Sequence, residues 1–199
     1  MKKLIVITVP YFFPEEGRLL AGLFEAGLQH LHLRKPESSA EELHRLLKGI
    51  PDRYYPRIVL HDHFEAASEL CLGGIHLNRR NNQVPAGFAG TVGRSCHSIG
   101  ELEQYRTLDY LFLSPIFQSI SKEGYGSGFS TETLKRASEA GIISDKVIAL
   151  GGIDLTTLPL LRPFPFGGVA VLGAVWGSHP STDKSDSIIT QYKKLQAWK

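Results

Sequence analysis

Short β-branched runs alternate with stretches of helical periodicity along the chain, which is the pattern of βα units wound around a parallel sheet. Eight strands are read at Leu4–Val9, His30–Arg34, Arg57–Asp62, Gly74–Asn78, Thr91–His97, Asp109–Ile116, Lys146–Ile153 and Gly168–Val175. Helices are expected at Glu15–Ala26, Ala40–Lys48, Phe64–Leu70, Ile99–Arg106, Thr131–Ala140, Leu155–Leu161 and Asp186–Trp198. In the last of these Ile188, Ile189, Tyr192 and Leu195 form one apolar face. Arg79–Gly90, with Asn81, Asn82, Pro85 and Gly87, has no helical face, so the fourth crossover is expected to be loop. Eight units in 199 residues leave about 25 residues each, against roughly 31 in a barrel of typical size. The expected fold is a minimal (β/α)8 TIM barrel, one domain over residues 1–199, with an open doubly wound sheet as its rival.

Composition acts mainly by exclusion. Hydrophobic residues at 42% and charged residues at 21% fit a globular domain and argue against disorder. Twenty-two Lys and Arg against 20 Asp and Glu leave a net charge of +2, too slight for nucleic-acid binding through a general basic field. Any anion site must therefore be local. Cys71 and Cys96 are too few for a disulfide framework, which fits a reducing compartment, and the cytoplasm is expected. Met1-Lys2-Lys3 with Leu4 to Phe13 has the outline of a signal peptide, but Pro10 interrupts the run and Glu15 and Glu16 follow it. A first buried strand explains it better. No run of about 18 apolar residues occurs, so no membrane span is expected.

A barrel of this kind carries its active site at the C-terminal ends of the strands, and here those ends are polar. If the leucines of His30-Leu31-His32-Leu33-Arg34 face the helices, period-two alternation sends His30, His32 and Arg34 inward. Arg34 then either pairs with a carboxylate such as Asp62 or binds a phosphate, and the two states can alternate. His61-Asp62-His63 has the His-x-His spacing of metal-dependent barrel hydrolases, but on the third strand rather than the first, and strand eight ends without a carboxylate. Cys96 and His97 point to opposite faces of a strand, so Cys96 is read as a packed thiol rather than a nucleophile. Gly151 and Gly152 after strand seven, with Leu172 and Gly173 after strand eight, leave backbone N–H groups open to a phosphate, or else mark tight turns. The segment Ser119 to Phe129 reads as a mobile lid with Lys122 at its tip, or as a solvated loop.

Six segments in order carry a family resemblance over nearly the whole chain. They are Leu31-His32-Leu33-Arg34, His61-Asp62 with Gly74-Ile75-His76-Leu77, Gly93-Arg94-Ser95-Cys96-His97-Ser98, Asp109-Tyr110 with Ser114-Pro115-Ile116-Phe117, Ala149-Leu150-Gly151-Gly152-Ile153, and Gly168-Val169-Ala170-Val171-Leu172-Gly173. In these the chain resembles the thiamine phosphate synthases and their relatives, the thiazole tautomerases. The resemblance implies a transferase that joins a pyrimidine diphosphate to a thiazole phosphate and releases pyrophosphate, with Mg²⁺ on the leaving group. It places Arg34, Ser95 and Lys122 at the diphosphate, with Arg34 and Lys122 catalytic, and Asp62 at the metal. His32 and His61 fall on substrate-binding positions where the family has Gln and Asn. Ser119, Ser121, Gly151, Gly152, Leu172 and Gly173 match the positions around the thiazole phosphate. Two departures count against full activity: Pro36 stands where the family has Lys, and Asn81 where it has a second metal Asp, with Arg79 and Arg80 adjoining that place and able to compensate by contacting the diphosphate directly. The Mg²⁺ site is accordingly expected to be weakened or lost. The tautomerase alternative lacks its His, since Pro115 stands there, and a non-catalytic thiazole-phosphate-binding protein is a further alternative. The expected partners are small phosphorylated pyrimidines and thiazoles, with no nucleic acid and no membrane; homo-oligomer formation is left open.

Overall fold

The computed structural model describes residues 2–117 and 128–197. Eight parallel strands close into a barrel in sequence order: β1 (Lys3–Ile7), β2 (His30–Leu33), β3 (Ile58–Leu60), β4 (Gly74–Leu77), β5 (Thr91–Cys96), β6 (Tyr110–Leu113), β7 (Val147–Leu150) and β8 (Gly168–Val171). Pairing of Ile5 with Ala170 joins the last strand to the first, which rules out the open sheet. The helices are α1 (Glu16–Glu25), α2 (Ala40–Lys48), α3 (Phe64–Glu69), α4 (Ile99–Gln104), α5 (Thr131–Glu139), α6 (Gly173–Trp176) and α7 (Ser185–Gln196). Between Leu77 and Thr91 there is no helix, as the absence of an apolar face there implies.

Strand alternation separates two cores. Outward residues such as Leu31, Leu33, Leu60 and Val171 pack with Leu20, Leu23 and Leu47 of the helices. Inward residues Ile5, Ile7, Tyr110, Phe112, Ile148 and Ala170 form a second cluster inside the barrel. Each fully buried Leu of the outer layer stabilises the fold by about 1.5–3 kcal/mol through burial.

Local chemistry explains where the elements stop. Ser39 accepts from the Glu42 N–H at 3.2 Å and the Glu42 carboxylate accepts from the Ser39 N–H at 2.9 Å, a capping box that starts α2 where expected. All eight strands are shorter than the sequence pattern implied, and β6, β7 and β8 are shorter by four residues each. β7 ends where Gly151 and Gly152 take φ of +100° and +64°. β6 ends before Pro115, which has no N–H to extend the ladder. Beyond β8 the apolar run Ala174-Val175-Trp176 is a buried helical turn rather than strand, a distinction that apolarity alone does not make. Trp176 donates its indole N–H to the Ile7 carbonyl at 2.7 Å and fastens that turn to β1. The expected helix at Leu155–Leu161 is a 3₁₀ turn over Leu158–Leu161, and a further one at Asp52–Arg57 had no periodic signal. No helix among the described residues is long and apolar enough to cross a membrane.

Candidate active site

The C-terminal ends of β2, β3 and β4 meet in one hydrogen-bonded group. Asp62, directly after His61, is almost buried. Its Oδ2 accepts from the Lys35 backbone N–H at 3.2 Å, and its Oδ1 accepts from the Arg80 guanidinium at 3.1 Å and the Asn81 amide at 3.0 Å. Asn78 holds the loop that brings these groups in. Its Oδ1 accepts the N–H groups of Arg80 and Asn81, and its amide donates to the His61 carbonyl at 2.7 Å. Arg80, not Arg34, is thus the partner of Asp62.

Arg34 is half-buried beside this pair. Its backbone N–H donates to Thr8 Oγ1 at 3.0 Å, and no residue among those described accepts from its guanidinium. Burial and the neighbouring Arg80 lower its pKa, with Asp62 opposing them. A half-buried cation whose nearest carboxylate is already taken lacks a counter-ion among the described residues.

Mg²⁺ does not fit the Asp62 group. The ion takes oxygen ligands and relies on carboxylates, whereas here a single carboxylate faces a guanidinium and an amide N–H₂. Nor do the histidines offer it a place. His32, His61 and His76 gather inside the barrel with ring nitrogens within 4.8 Å of one another, a nitrogen set foreign to Mg²⁺. Burial first, then neighbouring imidazoles and the arginines Arg34, Arg80 and Arg94, hold all three well below the usual imidazole range, so they are neutral.

His32 and His61, expected among the substrate-binding groups, therefore lie in the closed interior at 2% and 4% exposure. His32 Nδ1 meets His61 Nε2 at 2.9 Å, and the His32 ring stacks on Phe112. They form a polar floor under the mouth. The His-x-His pair does not converge, because His63 turns away and binds the Ser38 carbonyl through Nε2 at 2.8 Å. Cys96 faces the outer core, and burial pushes its thiol up to about 12.

Ser95 stands half-buried at the end of β5, with its Oγ 2.9 Å from His76 Nε2. Across the mouth, the N–H groups of Gly152, Gly173 and Ala174 find no acceptor among the described residues. The glycines after β7 and β8 differ in purpose. A Cβ on Gly151 would lie 2.9 Å from the Pro115 Cα, so this residue lets the strand-six loop pack. A Cβ on Gly173 would meet nothing within 4 Å, so the space on that side of the backbone is open. Leu172 stands between β8 and α6 and caps that helix with its backbone alone. Ser119, Ser121 and Lys122 lie outside the described residues.

Sequence reasoning missed Lys35 and Glu16. The Lys35 ammonium is buried, 2.7 Å from Glu16 Oε1, and donates to the carbonyls of Val9 and Tyr11 at 3.0 and 2.6 Å. Its one visible signal was alternation, which turns Lys35 outward from a strand whose Arg34 points in.

The sequence and the fold have counterparts among known proteins. Residues 4–175 match the family model for thiamine monophosphate synthase. A thiamine-phosphate synthase of Bacteroides fragilis is 25% identical over 92% of this chain and 94% of its own. That of Listeria monocytogenes is 32% identical over 71% of this chain and 67% of its own. A crystal structure of thiamine phosphate pyrophosphorylase from Bacteroides thetaiotaomicron superposes with a TM-score of 0.89 and 43% identity, covering 98% of this chain and 96% of that one. With the family model spanning all eight strands, the chain belongs to the thiamine monophosphate synthase family.

Proposed function

We propose that this chain joins a hydroxymethylpyrimidine diphosphate to a thiazole phosphate and releases pyrophosphate. The family is one of transferases in thiamine biosynthesis. The observation that carries the reading is Arg34, a half-buried guanidinium at the barrel mouth with its neighbouring carboxylate engaged by Arg80. Such a cation is suited to the charge that builds on a departing diphosphate, where fixed donors act most strongly on the transition state. Arg34 and the Ser95 hydroxyl then face the diphosphate, and Lys122 joins them from the strand-six loop. The N–H groups of Gly152 and Gly173 take the thiazole phosphate, with Leu172 beside them and Ser119 and Ser121 adding hydroxyls. Because Asp62 is committed to Arg80 and Asn81, leaving-group charge is neutralised chiefly by arginine, with little contribution from Mg²⁺. The two cysteines stand apart as free thiols, which fits a cytoplasmic setting.

Purified protein mixed with both substrates, with and without Mg²⁺, tests the reading through pyrophosphate release. Turnover supports it; binding of both substrates without turnover would replace it with a non-catalytic binding protein. Gly173→Val tests the phosphate side. The added side chain enters open space, so the fold should hold while thiazole phosphate affinity falls about tenfold, as expected when a charge-assisted hydrogen bond is lost. Unchanged affinity by calorimetry would remove the phosphate from this loop.

A further inference from the structure

We infer that Tyr110 and His76 are positioning residues that set the Ser95 hydroxyl to donate its proton toward an anion at the barrel mouth. The inference rests on the diphosphate role proposed for Ser95. Tyr110 Oη lies 3.0 Å from His76 Nδ1, and His76 Nε2 lies 2.9 Å from Ser95 Oγ, so three neighbouring strands are threaded by one chain of hydrogen bonds. The sequence makes room for it. Tyr110 pairs with Gly93 across β5 and β6, and a Cβ at Gly93 would sit 2.0 Å from the Tyr110 ring. Only glycine at that inward position lets the phenol cross β5 to reach β4.

The direction of the chain follows from counting protons. Tyr110 and His76 are both buried, at 7% and 0% exposure. Burial raises the phenol well above its ordinary range, so it keeps its proton, and lowers the imidazole, so it has a single one. Among the described residues, His76 Nδ1 is the only partner of the Tyr110 hydroxyl. If Nδ1 were the protonated nitrogen, the phenolic hydrogen would have no acceptor among the described residues, and an unpaired buried donor costs about 1–3 kcal/mol. The phenol therefore donates to Nδ1, the imidazole proton sits on Nε2 and goes to Ser95 Oγ, and the serine hydrogen is left to face outward. Each bond polarises the next in the same sense, which makes Ser95 a better donor to an anion than a free hydroxyl.

Two measurements test this. In protein labelled with ¹⁵N-histidine, NMR should show His76 as the Nε2–H tautomer, with Tyr110→Phe releasing it to a mixture; an Nδ1–H tautomer in the native protein would overturn the inference. Calorimetric titration with inorganic pyrophosphate supplies a cycle. Tyr110→Phe should weaken binding roughly threefold to tenfold, the range of one hydrogen bond, and should have no effect in a Ser95→Ala background. An equal loss in both backgrounds would show that Tyr110 acts on packing rather than through Ser95. If Ser95→Ala alone binds pyrophosphate like the native protein, the diphosphate role of Ser95 fails, and the positioning role falls with it even though the tautomer is as expected.

Discussion

Arg80 decides the electrostatics around Asp62. Its guanidinium occupies one carboxylate oxygen while Asn81 donates to the same atom, so a cation would have to displace both. Asn81→Asp alone would supply a second carboxylate, yet Arg80 would remain to neutralise the pair. The double variant Arg80→Ala/Asn81→Asp should bind Mg²⁺ at least tenfold more tightly than the native protein, since one positive charge leaves and one negative charge arrives within a few ångströms. A Mg²⁺ titration by calorimetry checks this, and native binding as tight as that of the double variant would refute it. The sequence placed Asp62, Arg80 and Asn81 near one another but offered Arg34, not Arg80, as the partner of Asp62. Arg79 and Arg80 are adjacent on a loop without periodicity, and it is the Asn78 side chain, holding two successive N–H groups, that selects Arg80 for the inner position.

At the scale of elements, Lys35 joins the β1–α1 loop to the end of β2. Its ammonium is shared by the carbonyls of Val9 and Tyr11 and both oxygens of Glu16, and it lies over the Phe12 ring. Burial lowers the Lys35 pKa and raises that of Glu16, each opposed by the attraction of the other. Lys35→Met leaves Glu16 buried without a partner and should cost about 3–5 kcal/mol, read from the urea midpoint. Glu16→Gln/Lys35→Met should recover part of that loss, and a double variant no more stable than Lys35→Met would show that the unpaired Glu16 charge is not the source of the loss. Element identity was legible because the alternation of strands and helices repeats eight times. Element ends were less so. Glycine φ values and the helical turn of Val175 and Trp176 depend on what the segment packs against, and an apolar run reads the same whether it is strand or helix.

The whole barrel carries a pH dependence in its interior. Period-two alternation told that His32 faces inward, but the stagger of β2, β3 and β4 decides that it meets His61 and His76, and that stagger is set by closure rather than by any local motif. All three imidazoles are held neutral by burial, with pKa values well below the ordinary one. Their folded pKa is depressed, so below pH ~6.5 the unfolded chain binds protons that the folded barrel refuses, and stability falls as pH falls. Above that value both states are unprotonated and the contribution is flat. Between pH 7.5 and 5.5 each such histidine removes about 1 kcal/mol, so the three together remove about 3–4 kcal/mol. This window lies above that in which ordinary carboxylates titrate, which separates it from general acid unfolding. Urea denaturation at half-unit pH steps should show stability climbing to about pH 6.5 and levelling off. His32→Gln, which keeps a side chain able to donate to His61, should reduce the climb by about one third. A stability curve flat from pH 5.5 to 7.5 would mean that the interior accepts protons, and that the three rings do not form the neutral floor on which the mouth of the barrel is built.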